Sequence, residues 1–308
     1  MIGVLTVAPW HNSLGDIASS EATVTHLVDA GFAARPVICP RDGDSAHLVI
    51  GGGDLLGGTS RWRAIKRRFE VPGPHVLNAV GVDPASIDDI DWAFTADYRL
   101  VTVRDNDTAA ALRSRLPVVR AVPCPATLIE PLPWEELIAL PGYRALRDLE
   151  SGAYVLVHRH PQLRRAARRL GRDAGLPLVV VDVQAHAQHA WGRAGLVMAP
   201  THSPRVVVTL VRHARLVVSC SLHLCIFAMG QKVPFSMLYR DGYQAEKIGR
   251  YLARAGIGDA CCEDHRRLVD VAQGLEARVA AVGESERALA LAHLDAVAAA
   301  LRDGGDHR

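Results

Sequence analysis

The sequence predicts an α/β protein made of two halves, each a parallel sheet covered by helices on both faces. Three observations carry this. Short, near-continuous apolar runs such as Ile2 to Val7, His47 to Ile50 and Leu216 to Ser219 read as strands buried on both faces. Between them lie segments of helical period, the order expected of βαβ units. At 308 residues the chain exceeds one ordinary core, and the alternation pauses once, over the proline- and glycine-edged segment 131–152, before it resumes. The expected domains are residues 1–150 and 151–283, with a closing helix over 284–303 that crosses back to brace the first.

Taken in order, Ile2 to Val7, Arg35 to Cys39, His47 to Ile50, His75 to Ala79 and Leu100 to Val103 are the strands of the first half. Ile17 to Asp29 and Asn106 to Leu116 carry helical periodicity, and a short helix around Trp134 to Leu140 falls in the connecting segment. The second half has strands Ala153 to His158, Pro177 to Val181, Leu216 to Ser219 and Pro234 to Leu238. Helices Gln162 to Ala174 and Leu222 to Met229 separate them, and another opens at Val206. Leu268 to Ala281 and Ser285 to Leu301 are alanine-rich, amphipathic, and followed by no strand.

Composition excludes several function classes. A hydrophobic share of 49% with 22% charged residues is that of a soluble globular protein, and a net charge of +2 is too weak to make nucleic acid or a membrane the main partner. No apolar run is long enough to span a bilayer, and MIGVLTVAPWHN has neither a basic start nor a cleavage site, so a cytoplasmic protein is expected. The six cysteines form no C-x-x-C pair and read as small apolar fillers of a reduced protein. Cys220 alone lies beside a helix start, where a thiolate would be favoured.

The residues suited to chemistry sit at strand exits, where open parallel sheets bind ligands. Gly51-Gly52-Gly53-Asp54 follows His47 to Ile50 directly and reads as a ligand-facing loop or, alternatively, a structural bend. It has neither the lysine of a phosphate-binding P-loop nor G-x-G-x-x-G spacing. In Asn12-Ser13-Leu14-Gly15-Asp16, Asp16 reads first as an N-cap, while His11 and Asn12 are better placed to face a crevice. Arg104-Asp105 ends a strand; the guanidinium suits a carboxylate or phosphate, and the other reading is a surface ion pair. His158-Arg159-His160 ends another strand without a third ligand for zinc. Arg164, Arg165, Arg168, Arg169 and Arg172 then decorate the following helix as a solvated face or a docking surface for an acidic acceptor. His223 stands at the junction of strand Leu216 to Ser219 and the helix from Leu222, where free N–H groups favour an anion.

In order along the chain these motifs are N-x-x-G-D, G-G-G-D-L-L, N-x-V-G from Asn78 to Gly81, Arg104-Asp105, P-x-P-A from Pro123 to Ala126, and Leu222-His223. Ile226 to Pro234 as I-x-A-x-x-x-x-x-P, then Tyr239 and Lys247-Ile248-Gly249, complete the set. Over most of its length the chain resembles the polysaccharide pyruvyl transferase family. The resemblance implies two Rossmann-like domains in a glycosyltransferase-B-like arrangement with a cleft between them. It also implies transfer of the enolpyruvyl carbons of phosphoenolpyruvate to a sugar or polyol-like acceptor. By resemblance His223 is the general acid, Arg104 binds an anion, and the helix from Leu222 holds phosphate. Asn12, Asp16, Gly51, Gly52, Gly53, Asp54, Asn78, His158, Arg159, Ser221, Leu222, Tyr239 and Lys247 are the expected substrate-binding positions. No metal or cofactor is called for; the partners are an anionic donor and a sugar-like acceptor, and a homodimer is compatible with the chain.

Two positions depart from the family pattern. Ser221 stands where the family has the arginine of R-L-H, and Cys124 where it has an aspartate. Losing a bidentate anion contact weakens binding by roughly a few kcal/mol unless another cation, such as Arg159 or Arg240, substitutes. The alternatives are therefore a different donor, such as a nucleotide sugar, on the same scaffold, or a silent binding subunit.

Overall fold

The computed structural model describes residues 1–5, 13–37, 47–51, 53–57, 67–116, 118–183, 195–198, 201, 203–239 and 242–303. The chain divides into two compact units. Met1–His11, Asp16–Leu128 and Arg287–Arg308 form the first, and Asn12–Gly15 with Ile129–Glu286 form the second. No helix among the described residues is long and apolar enough to cross a membrane.

Unit 1 is built on parallel strands β1 (Ile2–Leu5), β2 (Ala34–Val37), β3 (His47–Gly51), β5 (Val76–Val82), β6 (Leu100–Val103) and β7 (Val119–Ala121). They lie side by side in the order β2-β1-β3-β5-β6-β7, and the short β4 (Asp54–Leu56) pairs with β5. Successive residues face opposite ways, so Val4, Val49 and Val76 pack on one face while Leu5, Leu48, Ile50 and Leu77 pack on the other. The first face is covered from helix α1 (Leu14–Asp29), through Leu27, and by Leu294, Val297, Ala298 and Leu301 near the chain's end. Helix α2 (Asn106–Leu112) joins the second face with Ala109 and Leu112. Burial on both sides is why these strands are apolar throughout.

The helix predicted from Ile17 begins at Leu14, which corrects the reading of Asp16 as an N-cap. Asp16 lies in the first turn, 6% exposed, where its charge meets the positive end of the helix. Asp54, expected in a glycine loop, instead begins the short strand Asp54–Leu56, which pairs with β5 at Gly81 and Val82.

Unit 2 opens with α3 (Trp134–Ala139) and has strands β8 (Val155–His158), β9 (Leu178–Val181), β10 (Leu196–Val197), β11 (Leu216–Ser219), β12 (Phe235–Leu238) and β13 (Cys261–Cys262), all parallel in the order β10-β9-β8-β11-β12-β13. Helix α4 (Pro161–Ala174) and α8 (Leu268–Gly274) cover one face, burying Leu163, Leu170, Leu268 and Val269 against Val155, Val157 and Val218. Helices α5 (Pro204–Arg212), α6 (Leu222–Gly230) and α7 (Tyr243–Arg254) complete the βαβ alternation.

The linker expected near residue 150 lies inside unit 2, and the break falls at Leu128/Ile129. Hydrogen bonding explains this: the backbone N–H and C=O of Leu132 both bond the Thr209 hydroxyl on α5, at 2.8 and 3.3 Å. The two tail helices expected to part near Gly283 instead part at Leu275, and α9 (Glu276–Arg302) runs through Gly283 unbroken. A Cβ at Gly283 would meet the Met229 carbonyl, so the glycine marks a close packing contact rather than a helix end.

Candidate active site

In unit 2 the chain leaves β8 toward β9 on one side and later returns to β11 on the other, so the topological switch point falls between β8 and β11. The residues at those two strand exits are His158-Arg159-His160 and Cys220-Ser221. Ser219, the last residue of β11, ties the turn: its hydroxyl accepts from Ser221 N at 2.8 Å and donates to Ser221 O at 3.0 Å. Ser221 is the N-cap of α6 but makes no side-chain cap bond, so none of the first amides of α6 is capped by it. A helix start of this kind presents N–H groups and a positive dipole end that suit an anion.

His223 is the second residue of α6 and half-buried. Its imidazole lies against Gly15 in the first turn of α1, where a Cβ would collide with ring atoms Cγ, Nδ1 and Cδ2. Leu14 N, one residue earlier, donates to Val183 O just beyond β9, at 3.3 Å. Two helix starts thus meet at one imidazole within this unit. Leu222 is 5% exposed, so only its backbone can serve a ligand.

His160 caps α4, its Nδ1 accepting from Gln162 N at 3.4 Å. Its ring lies 5.6 Å from that of His158. Burial, with a smaller contribution from His160, pushes the His158 imidazole down to about 3, so it is neutral at ordinary pH; its Nδ1 has no hydrogen-bond partner among the described residues. Arg159 is half-buried, its N–H donating to Val181 O at 2.7 Å. Burial pushes the Cys220 thiol up to about 12, which removes it as a nucleophile. Tyr239 follows β12 and, with Cys261, Asp264 and Arg267, lines a pocket of about 450 Å³. Lys247 is half-buried on α7.

Unit 1 holds a second cluster. Arg104 follows β6 and is 3% exposed, so it is no surface ion pair. Asp105 caps α2 instead, accepting from Thr108 N at 2.8 Å and from Thr108 Oγ1 at 2.9 Å. The Arg104 guanidinium lies against Gly81, where a Cβ would strike Nη2. Gly81 N donates to Gly53 O at 2.8 Å; Gly53 has φ +144, and a Cβ there would stand 2.6 Å from Asp16 Oδ1. Cys124 is fully buried beside these groups: burial raises its thiol, Arg104 opposes that, and Asp16 adds to it. Arg104, Asp16, Gly53 and Cys124 therefore share one buried neighbourhood.

Asn78 is 1% exposed and its amide is engaged in the core. Its Nδ2 donates to Thr23 Oγ1 at 3.1 Å, Thr23 Oγ1 donates to Ser19 O at 2.8 Å, and Asn78 Oδ1 lies 2.6 Å from His293 Nε2. Gly51 closes β3, its Cβ position blocked by Asn78 O at 2.6 Å. Asp54 enters β4 through its backbone pairing with Gly81. His11, Asn12, Gly52 and Arg240 lie outside the described residues. Sequence reasoning missed Gly15 and Ser219; the first looked like a loop glycine, and the second was hidden at the end of an apolar run.

The chain is similar to the UDP-GlcNAc 2-epimerase of Neisseria meningitidis bound to UDP-GlcNAc, with TM-score 0.54, 9% identity, and 98% of this chain and 99% of that chain covered. It is also similar to the S. aureus MnaA-UDP co-structure, with TM-score 0.51, 10% identity, and 98% and 94% covered. These likenesses give the fold: glycosyltransferase-B-like α/β, with two Rossmann-like units. No curated protein matches the chain. The polysaccharide pyruvyl transferase model matches residues 14–242, and the chain belongs to that family of polysaccharide-modifying transferases.

Proposed function

We propose that the chain transfers the pyruvyl carbons of phosphoenolpyruvate to two hydroxyls of a saccharide acceptor. One hydroxyl adds to C2 of the enol phosphate while a proton reaches the methylene carbon. The second hydroxyl then takes the place of the phosphate at C2, closing the ketal and breaking the C–O bond to phosphate. Of the two hydroxyl protons, one is balanced by the new methyl hydrogen and the other leaves with phosphate. His223 is the proton donor and is restored by the attacking hydroxyl. The first turn of α6, whose amides Ser221 does not cap, receives the phosphate. Arg104 is assigned as the anion-binding cation of unit 1, and Arg159 as the cation that stands in for the arginine replaced by Ser221.

The observation that carries this reading is the seating of His223 at the start of α6, pressed against Gly15. A nucleotide-sugar donor is the second reading, supported by the two similar structures holding UDP-GlcNAc and UDP. Thermal shift separates them, because a ligand that binds only the folded chain raises its melting point. Phosphoenolpyruvate should stabilise both wild type and His223→Ala, while phosphate release by the variant falls by about 10²-fold or more. Stabilisation by UDP-GlcNAc with none by phosphoenolpyruvate would transfer the assignment to the second reading. An unchanged rate in His223→Ala would remove the proton-donor role.

A further inference from the structure

Helix α4 carries a charge pattern that the proposed chemistry does not use. Arg164, Arg165, Arg168, Arg169 and Arg172 are all exposed, while Leu163, Ala166, Ala167 and Leu170 on the other side are buried in the core of unit 2. The arginines therefore stand on a helix anchored by its apolar face. Among the described residues only Arg169 has an acidic partner, Asp173 at 3.0 Å. Arg164, Arg165, Arg168 and Arg172 make no ion pair with described residues, and so present four uncompensated guanidiniums to solvent. The chain as a whole is only +2, so the remainder is net negative and this helix concentrates the positive charge.

Arg164, Arg168 and Arg172 form one row at i, i+4 and i+8, with steps of about 6 Å along the axis. That row starts one turn from the strand exit occupied by His158, Arg159 and His160. A ligand following the row would thus be led to the edge of the sheet where α6 also begins. Among the described residues the exposed large apolar ones are Met1, Val28, Val118, Leu140, Val197, Leu289 and Leu291, none of them on α4, so this helix face offers no apolar side chain to a bilayer. Nor does α4 carry an aromatic side chain on which a base could stack. What fits is a flexible chain with anionic groups repeated along it.

We propose that the arginine row of α4 docks the acceptor, and that the acceptor is a saccharide polymer bearing repeated carboxylate or phosphate groups. The inference rests on the saccharide acceptor proposed above but not on the identity of the donor. Its test uses fluorescently labelled polygalacturonate oligomers and neutral dextran oligomers, measured by anisotropy against the wild-type chain and against R164Q/R168Q/R172Q. Wild type should bind the polyuronate and not the neutral oligomer, with an affinity that falls as salt rises. The triple variant should bind about tenfold or more weakly, while keeping the wild-type melting point and the shift produced by phosphoenolpyruvate. Equal affinity of variant and wild type for polygalacturonate would overturn the proposal. So would tighter arginine-dependent binding of duplex DNA or of phosphatidylglycerol vesicles. Loss of the phosphoenolpyruvate shift in wild type, with polyuronate binding intact, would count against the donor and leave this surface standing.

Discussion

His223 owes its seat to a residue that lacks a side chain. Because the Gly15 Cβ position coincides with the imidazole, any larger residue there must push the ring away. Gly15 is also in the first turn of α1, where alanine is the better helix former by about 1 kcal/mol. The two effects separate function from folding. Gly15→Ala is expected to lower kcat/KM for phosphate release by about tenfold to a hundredfold, as displacement of a reacting group by about 1 Å does. Its melting point should change little, since the propensity gain offsets part of the steric cost. Steady-state kinetics and a thermal melt on the same preparation check this, and wild-type turnover in the variant would mean that the ring does no chemistry. Gly53 is the counterpart in unit 1: with φ +144 and Asp16 Oδ1 2.6 Å from its Cβ position, it admits no other residue without strain.

At the scale of elements, what can be read from a sequence depends on whether the cause is local. The strands buried on both faces were readable from their apolar runs alone, as in Leu216–Ser219, because burial acts on each residue separately. The placement of His223 at a strand exit followed from the same pattern. Two-residue strands such as β10 and β13 were not readable, since partners far along the chain define them. The uninterrupted course of α9 was hidden too: Gly283 reads as a stop until the Met229 carbonyl is seen beside it. Asn78 is an expected substrate-binding position in the sequence, and only the distant His293 shows where its amide is engaged. A long-range tie of this kind gives an element-scale prediction. Arg254 of α7 and Glu286 of α9 form a two-point pair with side chains only 7% and 4% exposed, one contact at 3.0 Å from Nη1 to Oε1 and the other from Nη2 to Oε2. Glu286→Ala leaves a buried guanidinium unmatched and should cost about 3–5 kcal/mol. Arg254→Met with Glu286→Leu should recover most of that loss in urea unfolding. A double variant as unstable as the single one would mean that packing around Glu286, rather than its charge, sets the cost.

Across the whole molecule, each unit buries a neutral histidine in its core, and this couples folding to acid. Burial holds His293 of unit 1 at about 4 and His158 of unit 2 at about 3. The His293 tautomer follows from its network. Thr23 donates to Ser19 O and so accepts from Asn78 Nδ2, which leaves Asn78 Oδ1 to accept a proton from His293 Nε2. The unfolded chain takes up a proton at each of these histidines near pH 6.5, whereas the folded chain does so only at much lower pH. Between those values the unfolded state binds more protons, so stability is complete above about pH 6.5 and is lost as pH falls toward the folded values. For His293 the loss amounts to about 3 kcal/mol by pH 4. His293→Gln keeps an N–H for Asn78 but cannot titrate. Urea midpoints measured from pH 7.5 down to 4.5 should therefore fall less steeply in the variant than in wild type, with the curves converging at the acid end. Parallel curves would place the acid sensitivity elsewhere, and His158→Gln, measured in the same way, would then report whether unit 2 carries it.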